Sequence, residues 1–134
     1  MTRLRLLVEA ETRLWREIES RLSQAGLPRL AWLETLAALE KRIGARVNDV
    51  ATDLAITAGG ATKLVDAVER GGMLTRQAHP TDRRVTIVSP TPAGLEALQR
   101  GRAIVDECVA EFWPSGDLDS PLREMREHLE AAGR

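Results

Sequence analysis

Tyrosine is absent from this 134-residue chain, and phenylalanine and cysteine occur once each. A lone thiol, Cys108, excludes an intrachain disulfide and fits a reducing compartment, so a cytoplasmic location is expected. The two histidines, His79 and His128, lie far apart and with one thiol make a poor donor set, so no metal is expected. No apolar run approaches the ~18 residues of a membrane span. The N-terminal stretch interleaves apolar residues with Arg and Glu and holds no signal-peptide core, so no membrane partner is expected. The chain also offers no glycine-rich phosphate loop, no nucleophile with a recognisable base and no metal motif. Neither a catalytic centre nor a cofactor is expected, and an enzyme is the poorest of the readings.

What is present suits a helical domain: 43% hydrophobic and 29% charged residues, enough for one modest core. The net charge of −1 argues against indiscriminate binding to nucleic acid, yet the charge is sorted along the chain. Residues 57–88 carry five bases (Lys63, Arg70, Arg76, Arg83, Arg84) against three acids (Asp66, Glu69, Asp82). Residues 105–134 carry eight acids against three bases. Such sorting is expected where one end meets a polyanion and the other does not.

Hydrophobic spacing predicts a helix over 3–24, with Leu7, Leu14 and Ile18 on one stripe and Val8, Trp15 and Leu22 beside it. Gly26 and Pro28 end it. A second helix over about 29–43 carries Leu30, Leu33, Leu36, Ala37 and Leu39, and Gly44 stops it. Asn48 is the expected N-cap of a short helix holding Val50, Ala51 and Leu54. Thr57 caps another, over about 58–70, that buries Ala61, Leu64, Val65 and Val68 and ends at Gly71-Gly72. Two short helices joined by a tight turn form the pattern of a helix-turn-helix.

Met73–Gln77 and Arg84–Val88 then read as two strands, joined by a linker Ala78–Arg83 that holds Pro80, Thr81 and Asp82. The far end of this hairpin is cationic through Arg83 and Arg84. Ser89-Pro90-Thr91-Pro92 opens a long helix to about 112, with Leu98, Val105, Cys108, Val109 and Phe112 on one stripe. Pro114, Ser115 and Gly116 break it, and a last helix from Pro121 carries Leu122, Met125 and Leu129. The terminal helices have apolar stripes that the helix-turn-helix cannot cover. A second copy of the chain would cover them, and a two-fold dimer matches the symmetry of duplex DNA.

This order resembles that of MarR-type transcriptional regulators. Val50-Ala51-Thr52-Asp53-Leu54-Ala55 is similar to the family's first helix-turn-helix segment. Thr62 through Leu74 resembles its recognition helix running into the wing, and Asp82-Arg83-Arg84 its Asp-x-Arg wing signature. Ser89-Pro90-Thr91-Pro92-Ala93-Gly94 is similar to the start of its long dimerisation helix. The resemblance implies a mainly α fold with a small β-hairpin, in which a winged helix-turn-helix is flanked by dimerisation helices. One domain would span 1–134, with the helix-turn-helix at about 48–71, the wing at about 73–88, and dimerisation helices at about 3–24 and 91–132. It further implies a homodimer on a pseudo-palindromic double-stranded operator and regulation, usually repression, by a small-molecule effector. Two departures stand out: the four small residues Ala58-Gly59-Gly60-Ala61 where larger base-reading side chains are common, and a short C-terminal segment.

Arg84 and Arg83 are the first candidates for DNA contact, because a narrow minor groove attracts guanidinium without a base-specific partner. Asp82 could orient Arg84 through a paired carboxylate. Thr57, Thr62 and Lys63 are candidates for base or phosphate contact from the recognition helix. Trp15 and Trp32 are candidates for an effector pocket, with simple core packing as the alternative. Trp113 suits interface packing, and Cys108, on an apolar stripe without a nearby base, suits a buried inert thiol rather than a redox sensor. A winged-helix protein-interaction or ligand-binding module without DNA binding remains the alternative to a regulator.

Overall fold

The computed structural model describes residues 2–113 and 115–133; Pro114, expected to break the long helix, lies outside them. Six helices and one hairpin follow in the order α1 (Thr2–Gln24), α2 (Leu30–Glu40), α3 (Val47–Leu54), α4 (Ala58–Arg70), β1 (Leu74–Ala78), β2 (Thr86–Pro90), α5 (Pro92–Phe112) and α6 (Asp119–Ala132). The fold is mainly helical with a two-stranded antiparallel sheet. Leu22 of α1, Leu30, Leu33, Leu36 and Leu39 of α2, Val50 of α3, Val65 and Val68 of α4, Leu74, Val88 and Leu98 form one continuous core. Helix α2 runs through its middle, which is why its leucines are almost fully buried.

Local chemistry explains most boundaries. The Thr57 hydroxyl accepts from Gly60 N–H at 3.0 Å, satisfying a donor that α4 leaves unpaired. At the other end Gly72 adopts φ +76°. Its N–H donates to Glu69 O at 2.9 Å and that of Met73 to Val68 O at 3.1 Å, closing a Schellman turn. Thr91 caps α5 in the same way as Thr57 caps α4, with Pro92 in the first turn.

Several expectations are corrected. Arg46, not Asn48, precedes α3: the Asp49 carboxylate accepts from Arg46 N–H at 2.8 Å and starts the helix earlier. Helix α2 is shorter than 29–43, ending at Glu40 and leaving Ile43 fully exposed. Both strands start later than expected. Leu74 pairs with Pro90 and Ala78 with Thr86, which moves Arg84 and Val85 out of the strand and into the tip. Pro90 tolerates this edge position because it has no N–H to place. Helix α6 begins at Asp119, two residues before Pro121, after Asp117 accepts from the N–H groups of Asp119 and Ser120.

The inward stripe of α5 also differs from the expected one. Leu98 and Cys108 are buried, but Val105 and Val109 are half-buried and Phe112 is exposed. The closest packing comes instead from Gly94, Ala97 and Gly101. A Cβ at Gly101 would lie 2.3 Å from Leu33 Cδ1, so α5 crosses α2 at near backbone contact. Cys108 is fully buried, and burial pushes its thiol pKa up. Helix α6 buries no residue, leaving Leu122, Met125 and Leu129 exposed, as are Leu4, Leu7 and Val8 of α1. No helix among the described residues is long and apolar enough to cross a membrane.

Candidate nucleic-acid interface

Helices α3 and α4 pack at a tight turn whose corner is Ala55, in the left-handed region at φ 54°. Ile56 N–H donates to Ala51 O at 3.0 Å and holds that corner closed. Helix α4 turns Ala61, Val65 and Val68 into the core. Ala58, Gly59, Thr62 and Lys63 face outward. Ala61 is therefore a core residue and not a vacant reading position; the small outward surface is Ala58 to Gly60. The Thr62 hydroxyl donates back to Ala58 O at 3.0 Å, and the Thr57 hydroxyl already serves as the cap. Both oxygens keep a free lone pair toward the outside.

The hairpin stands beside α4. Its tip is closed by His79 N–H donating to Val85 O at 2.8 Å and Val85 N–H to Asp82 O at 3.0 Å. Arg84 Nε lies 3.1 Å from Asp82 Oδ1 and Nη2 3.3 Å from Oδ2, while its backbone N–H donates to the same carboxylate. The Arg84 side chain is nonetheless 90% exposed. The carboxylate fixes the root of the guanidinium and leaves its outer edge to project. These Arg84 bonds, more than the positive charge of Arg46, hold the Asp82 carboxyl below its ordinary range. A depressed carboxylate keeps its pairing as pH falls, until the folded-state pKa is crossed.

At the base of the wing, Val88 N–H donates to Ala45 O at 2.8 Å, tying β2 to the segment before α3. Arg76 of β1 reaches back to α4. Its Nη1 lies 2.6 Å from Glu69 Oε1, its other terminal nitrogen pairs with Asp66, and its backbone N–H donates to Glu69 Oε2 at 3.2 Å. Of the five bases in this segment, Arg76 and Arg84 are paired. No ion pair of Lys63, Arg70 or Arg83 occurs among the described residues. The outward cationic surface is thus Lys63, Arg70, Arg83 and the free edge of Arg84. The sequence reading did not single out Arg76; the acids Asp66 and Glu69, one turn apart on α4, were the available signal.

The two candidate pocket tryptophans lie apart. Trp15 lines a groove of about 680 Å³ between α1, the end of α5 and the start of α6, with Leu7, Leu14, Ile18, Phe112 and Leu122. Trp32 is not in its wall. Its ring covers Gly71, where a Cβ would lie 2.5 Å from Cζ3. Trp113 lines the groove and is exposed. Among the described residues no group of three or more His, Cys, Asp or Glu side chains is placed to hold a metal.

A capped outward helix, a tight αL corner before it and a hairpin with a cationic tip together define a winged helix-turn-helix. The MarR family model matches residues 25–85, from the end of α1 to the wing tip. That stretch is therefore similar to the MarR family over the helix-turn-helix and the wing. No curated protein matches the sequence at a significant level.

Solved structures share the fold over almost the whole chain. BldR from Sulfolobus solfataricus has a TM-score of 0.81 at 20% identity, covering 98% of this chain and 94% of that one. CouR from Rhodococcus jostii RHA1, bound to p-coumaroyl-CoA, has 0.77 at 23%, covering 95% and 88%. MepR from S. aureus in complex with DNA has 0.77 at 19%, covering 95% and 93%.

Proposed function

We propose that the protein is a homodimeric repressor that binds a pseudo-palindromic operator and is released by a small-molecule effector. The observation that carries the DNA-reading part is the pairing of an outward, capped α4 start with an arginine projected from the wing tip on a carboxylate base. Lys63, with the hydroxyls of Thr57 and Thr62, meets phosphates and base edges in the major groove. Arg84 enters the flanking minor groove with Arg83 beside it, and Asp82 sets its direction. Half-sites lie about one helical turn apart. The DNA-bound state of the similarly folded MepR supports this reading.

The effector site is the groove beside Trp15, whose volume falls within the usual range for small-molecule sites. Its apolar walls suit an aromatic or acyl ligand, and the ligand-bound state of CouR supports an effector of some kind. Trp32 takes a packing role under the recognition helix instead.

Selection of bound duplexes from a random pool, followed by salt titration, tests the whole reading. A two-fold related consensus and an affinity that falls steeply with salt are expected. No salt-sensitive binding at all would leave a winged-helix protein-interaction module. On the selected duplex, Arg84→Ala should weaken binding by about 1–3 kcal/mol. Unchanged affinity for that variant in a low-salt shift assay would remove the wing from the interface.

A further inference from the structure

We infer that Arg76 is a positioning residue that locks the wing to the recognition helix, so that wing and helix meet DNA as one rigid unit. This rests on the DNA-binding reading above. Arg76 lies in the basic segment and by charge alone would be counted as a phosphate contact. Its geometry says otherwise. One terminal nitrogen bonds Glu69 at 2.6 Å, the other pairs with Asp66, and the backbone N–H of the same residue donates to Glu69. The fork is thus engaged by two carboxylates on successive turns of α4.

The Arg76 side chain is 26% exposed, against 90% for Arg84, so it points into the angle between helix and hairpin. A planar guanidinium held at both ends resists rotation far more than one flexible ion pair does. The wing's other attachments lie at its base: Leu74 and Val88 in the core, Val88 N–H donating to Ala45 O, and Thr91, whose N–H donates to Met73 O and whose hydroxyl donates to Gly72 O. Nothing else among the described ion pairs joins the hairpin to α4. With Asp66 and Glu69 spent on Arg76, the recognition helix also presents less negative charge to a polyanion.

Neutralising both acids gives a test in which the two roles predict opposite signs. Asp66→Asn with Glu69→Gln raises the local charge by two. If Arg76 were a phosphate contact held back by its partners, binding would tighten. If Arg76 is the brace, binding weakens despite the added positive charge. The probes are a duplex whose half-sites are flanked by A-tracts, with narrow minor grooves, and a duplex of equal length with G·C-rich flanks. The wild type is expected to prefer the A-tract duplex, and the double variant to lose about tenfold on it and little on the other. Adding Arg84→Ala to the double variant should change little, because an unaimed wing has already lost that contact. Arg76→Lys, which keeps the charge but not the fork, should fall between.

Tighter binding by the double variant, or an Arg84→Ala loss equal in both backgrounds, overturns the brace. Hydrogen exchange of the free protein separates this outcome from failure of the DNA reading. Amides of β1 and the tip should exchange faster in the double variant while those of α2 do not change. Should the wild type bind neither duplex, the DNA reading fails and the exchange result alone decides the brace; unchanged wing exchange overturns it.

Discussion

Replacing Met125 and Leu129 together with glutamate should turn the proposed dimer into a monomer and lower affinity for a two-half-site duplex by about 10²–10⁴-fold. The two side chains are 48% and 64% exposed on α6 and lie outside the groove beside Trp15. Helix α6 is the reason for expecting a partner there. It has 14 residues and buries none of them, and isolated helices of about that length are marginal in water. Leu122, Met125 and Leu129 need a cover that the protomer does not supply. In a two-fold interface each new glutamate appears twice, beside a segment that already carries eight acids against three bases. Because neither position belongs to the core, circular dichroism and the melting of the winged domain should hold. Sedimentation gives the mass and a shift assay on one- and two-half-site duplexes gives the affinities. A variant that stays dimeric, or a wild type that sediments as a monomer, would sink the terminal-helix interface.

The parts of this fold legible in the sequence were those whose cause is local. Thr57 as a cap, Gly71-Gly72 as a stop and Thr91-Pro92 as a start each act within a turn of the chain, and each boundary stands where the sequence puts it. Errors arose where a boundary depends on a distant or competing partner. Asn48 is a good cap residue, but the Asp49 carboxylate reaches back to Arg46 and starts the helix without it. The strand register follows the pairing of Leu74 with Pro90, which no alternation of polar and apolar residues could reveal. Ala61 belongs to the buried stripe that helical spacing predicts and is buried, so of the four small residues only Ala58 to Gly60 face outward. At the interface, Asp82 and Arg84 are close in sequence and so their pairing could be anticipated, whereas Arg76 finds its acids seven and ten residues away in a different element.

Two identical substitutions in helices should have opposite effects on stability: Gly94→Ala lowering it by about 3 kcal/mol and Gly59→Ala raising it by about 0.5–1 kcal/mol. At Gly94 a Cβ would lie 2.1 Å from the carbonyl oxygen of Met73. That oxygen also accepts from Thr91 N–H at 3.0 Å, at the joint where the end of α4, the wing and α5 meet, so it cannot retreat without breaking the joint. The obstacle is backbone rather than a flexible side chain, which puts the cost at the upper end for overpacking. At Gly59 a Cβ meets nothing within 4 Å, and the residue sits on the exposed side of a regular helix. Nothing inside the chain requires glycine there. Its conformational cost is offset only if something outside the chain comes close, and a DNA backbone approaching the start of α4 is such a neighbour. Gly59→Ala should therefore raise Tm by about 3–5 °C while weakening operator binding, a combination that a purely structural glycine cannot produce. Thermal melts and shift assays on both variants decide it. A Gly94→Ala protein as stable as the parent would refute the tight joint. Gly59→Ala with unchanged affinity would mean that DNA does not approach α4 at this point.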